Sequence, residues 1–437
     1  MSEGAAKGFG KKPEPKEERR KFQAIKGTRD LLPPETALWN RVEQAAQEIF
    51  ASYGFGEIRL PIFETTDLFA RSIGLETDVV SKEMYTFGDR DETSVSLRPE
   101  ATASVCRAYI EDGMQQLPQP VKLYTIGPMF RRERPQKGRY RQFYQIDAEV
   151  LGGSDAPGID GELIEMVMMF FERLGLEGVQ LEINSIGDKQ CRPKYVELLR
   201  AELQKVKDQL GPDSQRRIET NPLRVLDSKL ENEQKLIAGM PHIADHLCEA
   251  CAENYRGVKK ELELRGVKYR ENWRLVRGLD YYSRTTFEIT AKGLGSQNAV
   301  CGGGRYDGLM ELLGGPPTRA TGFAIGEDRL ILSLQETGQT PAPPRRDVYI
   351  AWMGTKVYAT AIRAARNLRT AGFSVELPPV EQKFGKALGQ ADKLGARYAL
   401  ILGDNEVSSG EWTLKTLADG TQQKLTEPQL LDFLRNL

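Results

Sequence analysis

The stretch FRRERPQKGRYRQFYQIDAEVL, residues 130–151, changes character half-way along, and that change decides how the chain folds around it. Its first part sets Arg131, Arg132, Arg134, Arg139 and Arg141 around Pro135 and Gly138, the composition of a turn between two extended runs. Its second part alternates strictly. Phe143, Gln145, Asp147 and Glu149 fall on one face of a strand over 143–151, while Tyr144, Ile146, Ala148 and Val150 fall on the other. The apolar face belongs on a core. The polar face either meets solvent at a sheet edge or lines a site. Guanidinium forks match phosphate oxygens in pairs, and Phe143 gives a base a surface to stack on, so this hairpin can hold a nucleotide. A solvated basic turn is the plainer alternative.

Working outward, residues 121–126 read as the strand on the other side of the turn. Apolar residues at helical spacing (Leu38, Val42, Ala45, Ile49) give a helix over 36–53, and a strand over 57–60 stops at Pro61, which cannot donate to a ladder. A helix over 160–174 and a strand over 179–183 continue the core. Residues 191–260 are charged and helical in pattern and look inserted, because strands resume at 284–290, 298–301 and 321–325. Pro341, Pro343 and Pro344 make 339–346 a stiff linker. Beyond it, strands at 347–352, 373–377 and 398–402 alternate with helices at 355–370 and 383–394, a small α/β domain with a largely parallel sheet. The expected division is a disordered tail over 1–21, a core in two parts over 22–190 and 261–338, the insertion over 191–260, the linker, and a last domain over 347–437.

A chain of 437 residues with 40% hydrophobic content exceeds one ordinary core. Its 61 Lys plus Arg balance 62 Asp plus Glu, so any nucleic-acid partner must be met by local basic patches. Five scattered cysteines make no disulfide framework and fit a reducing cytoplasm. The polar start carries no signal peptide, and no apolar run is long enough to cross a membrane, so the expectation is a soluble protein.

Three further stretches carry chemistry. Arg277-Gly278-Leu279-Asp280-Tyr281-Tyr282 sits at a glycine turn before a strand; Cys301-Gly302-Gly303-Gly304-Arg305-Tyr306-Asp307-Gly308 suits a strand-end turn or a close approach of backbone to ligand; Gly326-Glu327-Asp328-Arg329 opens a helix. The glycine patterns of phosphate-loop and dinucleotide-binding sites are missing, which leaves phosphates to arginines. Only two histidines occur, His242 and His246, both in the insertion, so imidazole acid–base chemistry in the core is excluded. A carboxylate attacking the α-phosphate of ATP needs alignment and charge neutralisation instead. His242, His246, Cys248 and Cys251 look like a zinc set, but on one continuous helix the two pairs face opposite ways, and the segment is read as a helical surface without metal.

From about Phe22 to the C-terminus these residues resemble the histidyl-tRNA synthetase family of class II aminoacyl-tRNA synthetases. The first helix with its Pro61-ended strand is similar to motif 1, the arginine hairpin to motif 2, and Gly322–Arg329 to motif 3. Lys26-Gly27-Thr28-Arg29-Asp30 and the tyrosine and triple-glycine stretches resemble histidine-specific elements. The resemblance implies an α+β catalytic core on a mostly antiparallel sheet, a helical insertion touching the tRNA, a C-terminal α/β anticodon-binding domain and a homodimer. It implies histidine–tRNA ligase activity with ATP and Mg2+, acting on L-histidine and tRNA(His). Carried over, Arg131, Arg277 and Arg329 are catalytic; Arg131, Glu133, Arg139, Phe143, Arg277 and Arg329 bind ATP; Glu100, Ala101, Thr102, Arg131, Gln145, Glu149, Arg277, Tyr281 and Tyr282 bind histidine. The sequence departs from the pattern at Ala101 (usually glycine), at Tyr144 (commonly histidine) and at Glu327-Asp328 (usually Leu-Glu). Two rivals are a synthetase-like paralogue serving as a regulatory subunit of ATP phosphoribosyltransferase, which would be expected to lose the arginines and the last domain, and a class II ligase for another amino acid.

Overall fold

In a computed structural model, residues 22–74, 77–295, 298–340 and 346–436 are described. The tail expected over 1–21 and the proline-rich 341–345 of the linker lie outside them. The described residues divide into two compact units, one over 22–32 and 38–340, the other over 33–37 and 346–436.

The first unit is built on an eight-stranded sheet. In spatial order its strands are Gly56–Glu57, Val121–Phe130, Gln142–Leu151, Ala320–Gly326, Ala299–Arg305, Ser283–Thr290, Gln180–Ser185 and Arg270–Glu271. The six inner strands pair antiparallel, and only the two short outer strands pair parallel. The alternating strand Gln142–Leu151 therefore lies inside the sheet, and its polar face is not an exposed edge: Glu149 is 1% exposed. Its apolar face does what alternation requires. Ile146, Ala148 and Val150 pack with Leu38, Val42 and Phe50 of the helix Glu35–Ser52 and with Phe170 of the helix Pro157–Arg173. Phe50 meets Phe170 and Phe323 with ring centroids 5.9 Å apart in both cases.

Two expectations change here. The strand expected over 298–301 runs on to Arg305, so Gly302, Gly303 and Gly304 lie within the sheet and do not form a strand-end turn. A β-carbon at Gly303 would stand 2.5 Å from Cζ of Phe287, so the glycines let neighbouring strands and side chains close over this one. The residues expected to form the insertion begin with helices Arg192–Lys205, Pro212–Thr220 and Glu231–Ile237. No continuous helix covers 242–251, however. Residues Ile243–His246 form one short 3-10 turn, Leu247 and Cys248 are extended, and a new helix starts at Glu249. With that helix goes the reason for setting a metal aside. His242 instead stacks on Trp273 at 4.0 Å, and His246 lies against Tyr195. Leu199, Leu203, Ile218 and Ile237 of the insertion share a second core with Tyr281, Tyr282 and Tyr306.

The second unit carries a five-stranded sheet in the order Val375–Glu376, Val348–Trp352, Tyr398–Leu402, Trp412–Thr416, Gln422–Leu425. The first three strands are parallel, as the alternation predicts, but the last two add antiparallel pairings and make the sheet mixed. Among the described residues no helix is long and apolar enough to cross a membrane.

Candidate active site

A cavity of about 430 Å³ opens on the polar side of the large sheet. Its lining includes Glu100, Thr102, Arg131, Glu133, Arg139, Phe143, Gln145, Arg277, Tyr281, Tyr282 and Arg329, so residues more than two hundred positions apart converge. Of the residues expected to bind histidine, Ala101 and Glu149 are absent from the lining. Both are buried beneath it.

The sheet and the helix Thr102–Glu111 position the residues expected to bind histidine. Glu100 accepts the backbone N–H groups of Thr102 (3.1 Å) and Ala103 (2.9 Å), which are unsatisfied donors of that helix's first turn. Tyr281 donates its hydroxyl to the same carboxylate at 3.3 Å. Ala101 has φ −97°, a value open to any residue, so the usual glycine is not needed. Glu149 accepts from Thr102 Oγ1 at 2.6 Å and from the Tyr306 hydroxyl, so it acts on the cavity through two side chains that line it. A β-carbon at Gly322 would fall on the Glu149 carboxylate, so glycine is required where the strands cross it. Asp147, on the same face, stays buried near Arg98 and has no hydrogen-bond partner among the described residues; burial pushes its carboxyl well above the usual range.

The arginines approach from three elements. Arg131 donates Nε–H to the Pro99 carbonyl at 3.0 Å, and its guanidinium lies 5.4 Å from the Phe143 ring. Arg277 is tied to Glu288 at 2.7 Å, and a β-carbon at Gly302 would lie within its guanidinium. The first glycine of the triple thus makes room for an arginine. Burial opposes the Arg277 charge, but Tyr282 and Glu288 outweigh it and hold the group above its ordinary value. Burial and then Arg139 draw Arg329 below its own. Glu133 pairs with Arg139 at 3.1 Å across the turn.

The departures at motif 3 resolve into contacts. Asp328 accepts the Tyr144 N–H at 2.8 Å and pairs with Arg29 at 3.1 Å, joining the hairpin strand, the helix Glu327–Glu336 and the early Lys26–Asp30 stretch. Glu327 is buried where leucine is usual, and burial holds its carboxyl well above the usual range. Sequence reasoning missed Glu83, Glu288 and Tyr306 as lining residues. Only Tyr306 carried a signal, its place in the glycine stretch.

Three comparisons bear on this site. Residues 27–188 and 194–330 match the family described as Histidyl-tRNA synthetase, and residues 347–437 match an Anticodon binding domain. The chain belongs to the histidyl-tRNA synthetase family. A histidine–tRNA ligase of Solibacter usitatus is 54% identical over 410 residues, 94% of this chain and 98% of that one. One of Koribacter versatilis is 50% identical over 426 residues, 95% of this chain and 96% of that one. The solved apo histidyl-tRNA synthetase of S. aureus is 36% identical, with a TM-score of 0.79, over 94% of this chain and 99% of that one. Tyr281, Tyr282 and the triple glycine fall within the residues that match this family.

A pH effect follows from the buried acid. Burial pushes Glu149 up to about 8, against the hydrogen bonds from Thr102 and Tyr306. The folded chain therefore keeps a proton that the unfolded chain releases near pH ~4.3. This contribution to stability is complete below that pH and is lost as pH rises through about 8, at ~1.4 kcal/mol per unit for one proton. Glu149→Gln should flatten the fall in melting temperature of the ligand-free protein across this window. An unchanged slope would mean that Glu149 is ionised throughout.

Proposed function

We propose that the cavity binds ATP and L-histidine side by side and that arginines, not a protein base, drive the first step. The chain is a histidine–tRNA ligase: it activates histidine with ATP to histidyl-adenylate, releasing pyrophosphate, and transfers the histidyl group to the 3′ end of tRNA(His). The observation that carries the proposal is the meeting of Arg131, Arg277 and Arg329 with Glu100, Thr102 and Gln145 in one cavity, away from both histidines. Phe143 offers the adenine a stacking face beside Arg131. Arg131 and Arg277 take the α-phosphate and Arg329 the γ-phosphate. Glu100, Gln145 and the tyrosines surround the histidine; the Gln145 Oε1 is buried without a partner among the described residues, which suits a substrate N–H. The histidine carboxylate then attacks the α-phosphorus while pyrophosphate leaves, with no proton to remove. Arg277 gains most as charge builds at phosphorus.

Mg2+ fits this donor set in a limited way. Glu288, Glu133 and Asp328 each pair with an arginine, Asp78 pairs with Lys82 and Arg217, and Glu100 accepts backbone N–H groups, which leaves Glu83, beside Glu133 on the lining, as the carboxylate most suited to it. Mg2+ commonly enters on substrate phosphates with one or two carboxylates, and there it would shield phosphate charge. The C-terminal unit, matching an anticodon-binding domain, takes the tRNA anticodon. A homodimer is supported by Ile62, Phe63 and Phe87, exposed apolar residues at and beside the small sheet Phe63–Thr65, Thr86–Gly88, Ser94–Leu97. Five free thiols suit a reducing cytoplasm. Charging with labelled histidine tests the whole reading: tRNA(His) transcripts should accept histidine only with ATP, and equal charging of unrelated tRNAs would contradict it.

A further inference from the structure

Far along the chain from its first members, a second group of side chains closes at the base of the insertion. Asp188 and Cys191 follow the strand Gln180–Ser185 and lead into the helix Arg192–Lys205; Cys248 and Cys251 open the helix Glu249–Leu264. Each pair has two residues between its members, the spacing with which zinc sites draw two ligands from one turn. The carboxylate oxygen and three sulfurs lie within 4.8 Å of one another. Cys191 Sγ is 3.6 Å and Cys248 Sγ 4.0 Å from Asp188 Oδ1. A tetrahedral zinc ion, with bonds of about 2.3 Å to sulfur, sets its thiolates about 3.8 Å apart. The arrangement needs only a small contraction to close on an ion.

We propose that Asp188, Cys191, Cys248 and Cys251 form a structural zinc site that ties together the two ends of the inserted helical segment.

Three observations support it beyond proximity. Gly187 has φ +64°, and a β-carbon there would stand 2.7 Å from Cys191 Sγ, so the backbone turns tightly around that sulfur. The Asp188 N–H donates to Cys191 Sγ at 3.4 Å, the kind of outer hydrogen bond that orients a metal-bound sulfur. Charge also balances. Three thiolates and a carboxylate around a divalent ion leave a charge of about −2. Arg192 beside Asp188 and Cys191, and Arg284 with Nε 3.9 Å from Asp188 Oδ2, offset it. A disulfide would use two of the three sulfurs and leave the third with the aspartate unexplained. Zinc accepts all four, with soft and hard donors together. All four protein ligands leave no open position, so the site is structural.

The site bears on the active site by position. Ile186 donates its N–H to the Arg284 carbonyl at 2.8 Å, and Arg284 donates its own to Gly187 at 2.7 Å, two residues beyond Tyr282. An ion fixing the Gly187 turn would brace the segment that presents Tyr281 and Tyr282.

The full chain, purified without chelator under reducing conditions, should contain one zinc ion per chain by elemental analysis. Replacing zinc with Co2+ should give a thiolate-to-cobalt charge-transfer band and the strong visible bands of tetrahedral coordination. Asp188→Asn preserves shape and should weaken zinc binding by about tenfold or more, with unchanged circular dichroism. His246→Gln should leave zinc content unchanged. Absence of zinc together with absence of cobalt bands in the wild-type chain would overturn the proposal, as would retention of full zinc affinity by Asp188→Asn. Neither wild-type measurement depends on a variant that folds.

Discussion

Arg277→Ala should slow histidyl-adenylate formation by about 10²- to 10³-fold, the usual cost of removing one donor aimed at developing charge. Histidine binding to the free enzyme should weaken far less, because Arg277 is proposed to act on charge that grows in the transition state. The structure favours this division. Arg277 is anchored by Glu288 on the neighbouring strand and is pressed against Gly302, whereas Glu100, Thr102 and Tyr281 form their own hydrogen-bonded group. Single-turnover rates set beside equilibrium histidine binding will separate the two effects. Equal losses would place Arg277 in ground-state binding.

Gly302→Ala should approach the same loss without touching any reacting group. The added methyl would take the place of the Arg277 guanidinium, and the end of a flexible side chain yields before two paired strands do. The expected result is an activation rate reduced by about 10²-fold with a folded chain. The double variant Gly302→Ala with Arg277→Ala should be no slower than Arg277→Ala alone, since the two losses act through one group. Additive losses would mean that the glycine serves something else.

How far the sequence reached can be traced through particular residues. Strict alternation over 143–151 told which face of the strand would meet a core, because side-chain period two is a property of the backbone alone. It could not tell whether the polar face met water or a site. Burial of Glu149 between Thr102 and Tyr306 rules out water there, and it depends on strands contributed from the far end of the core. The triple glycine reads in sequence as a strand-end turn or a close approach of backbone to ligand, not as strand interior making room for Arg277, which arrives from another segment. Glu83 and Glu288 had no local pattern at all. The helical reading of 242–251 fails because Leu247 and Cys248 are extended between the 3-10 turn Ile243–His246 and the helix from Glu249, and charge-rich helical composition hides such breaks. In the C-terminal unit, the alternation read from the sequence stops at Leu402; the strand Trp412–Thr416, which buries Trp412 and Leu414, and the polar strand Gln422–Leu425 lie beyond it. Histidine as the substrate was carried by family resemblance, not by any single spacing.

The central claim is that this cavity activates histidine. ATP–pyrophosphate exchange measured with each of the twenty amino acids in turn tests it most directly. Histidine alone should drive exchange, and Arg277→Ala should nearly abolish it. No exchange with histidine, or equal exchange with another amino acid, would contradict the account.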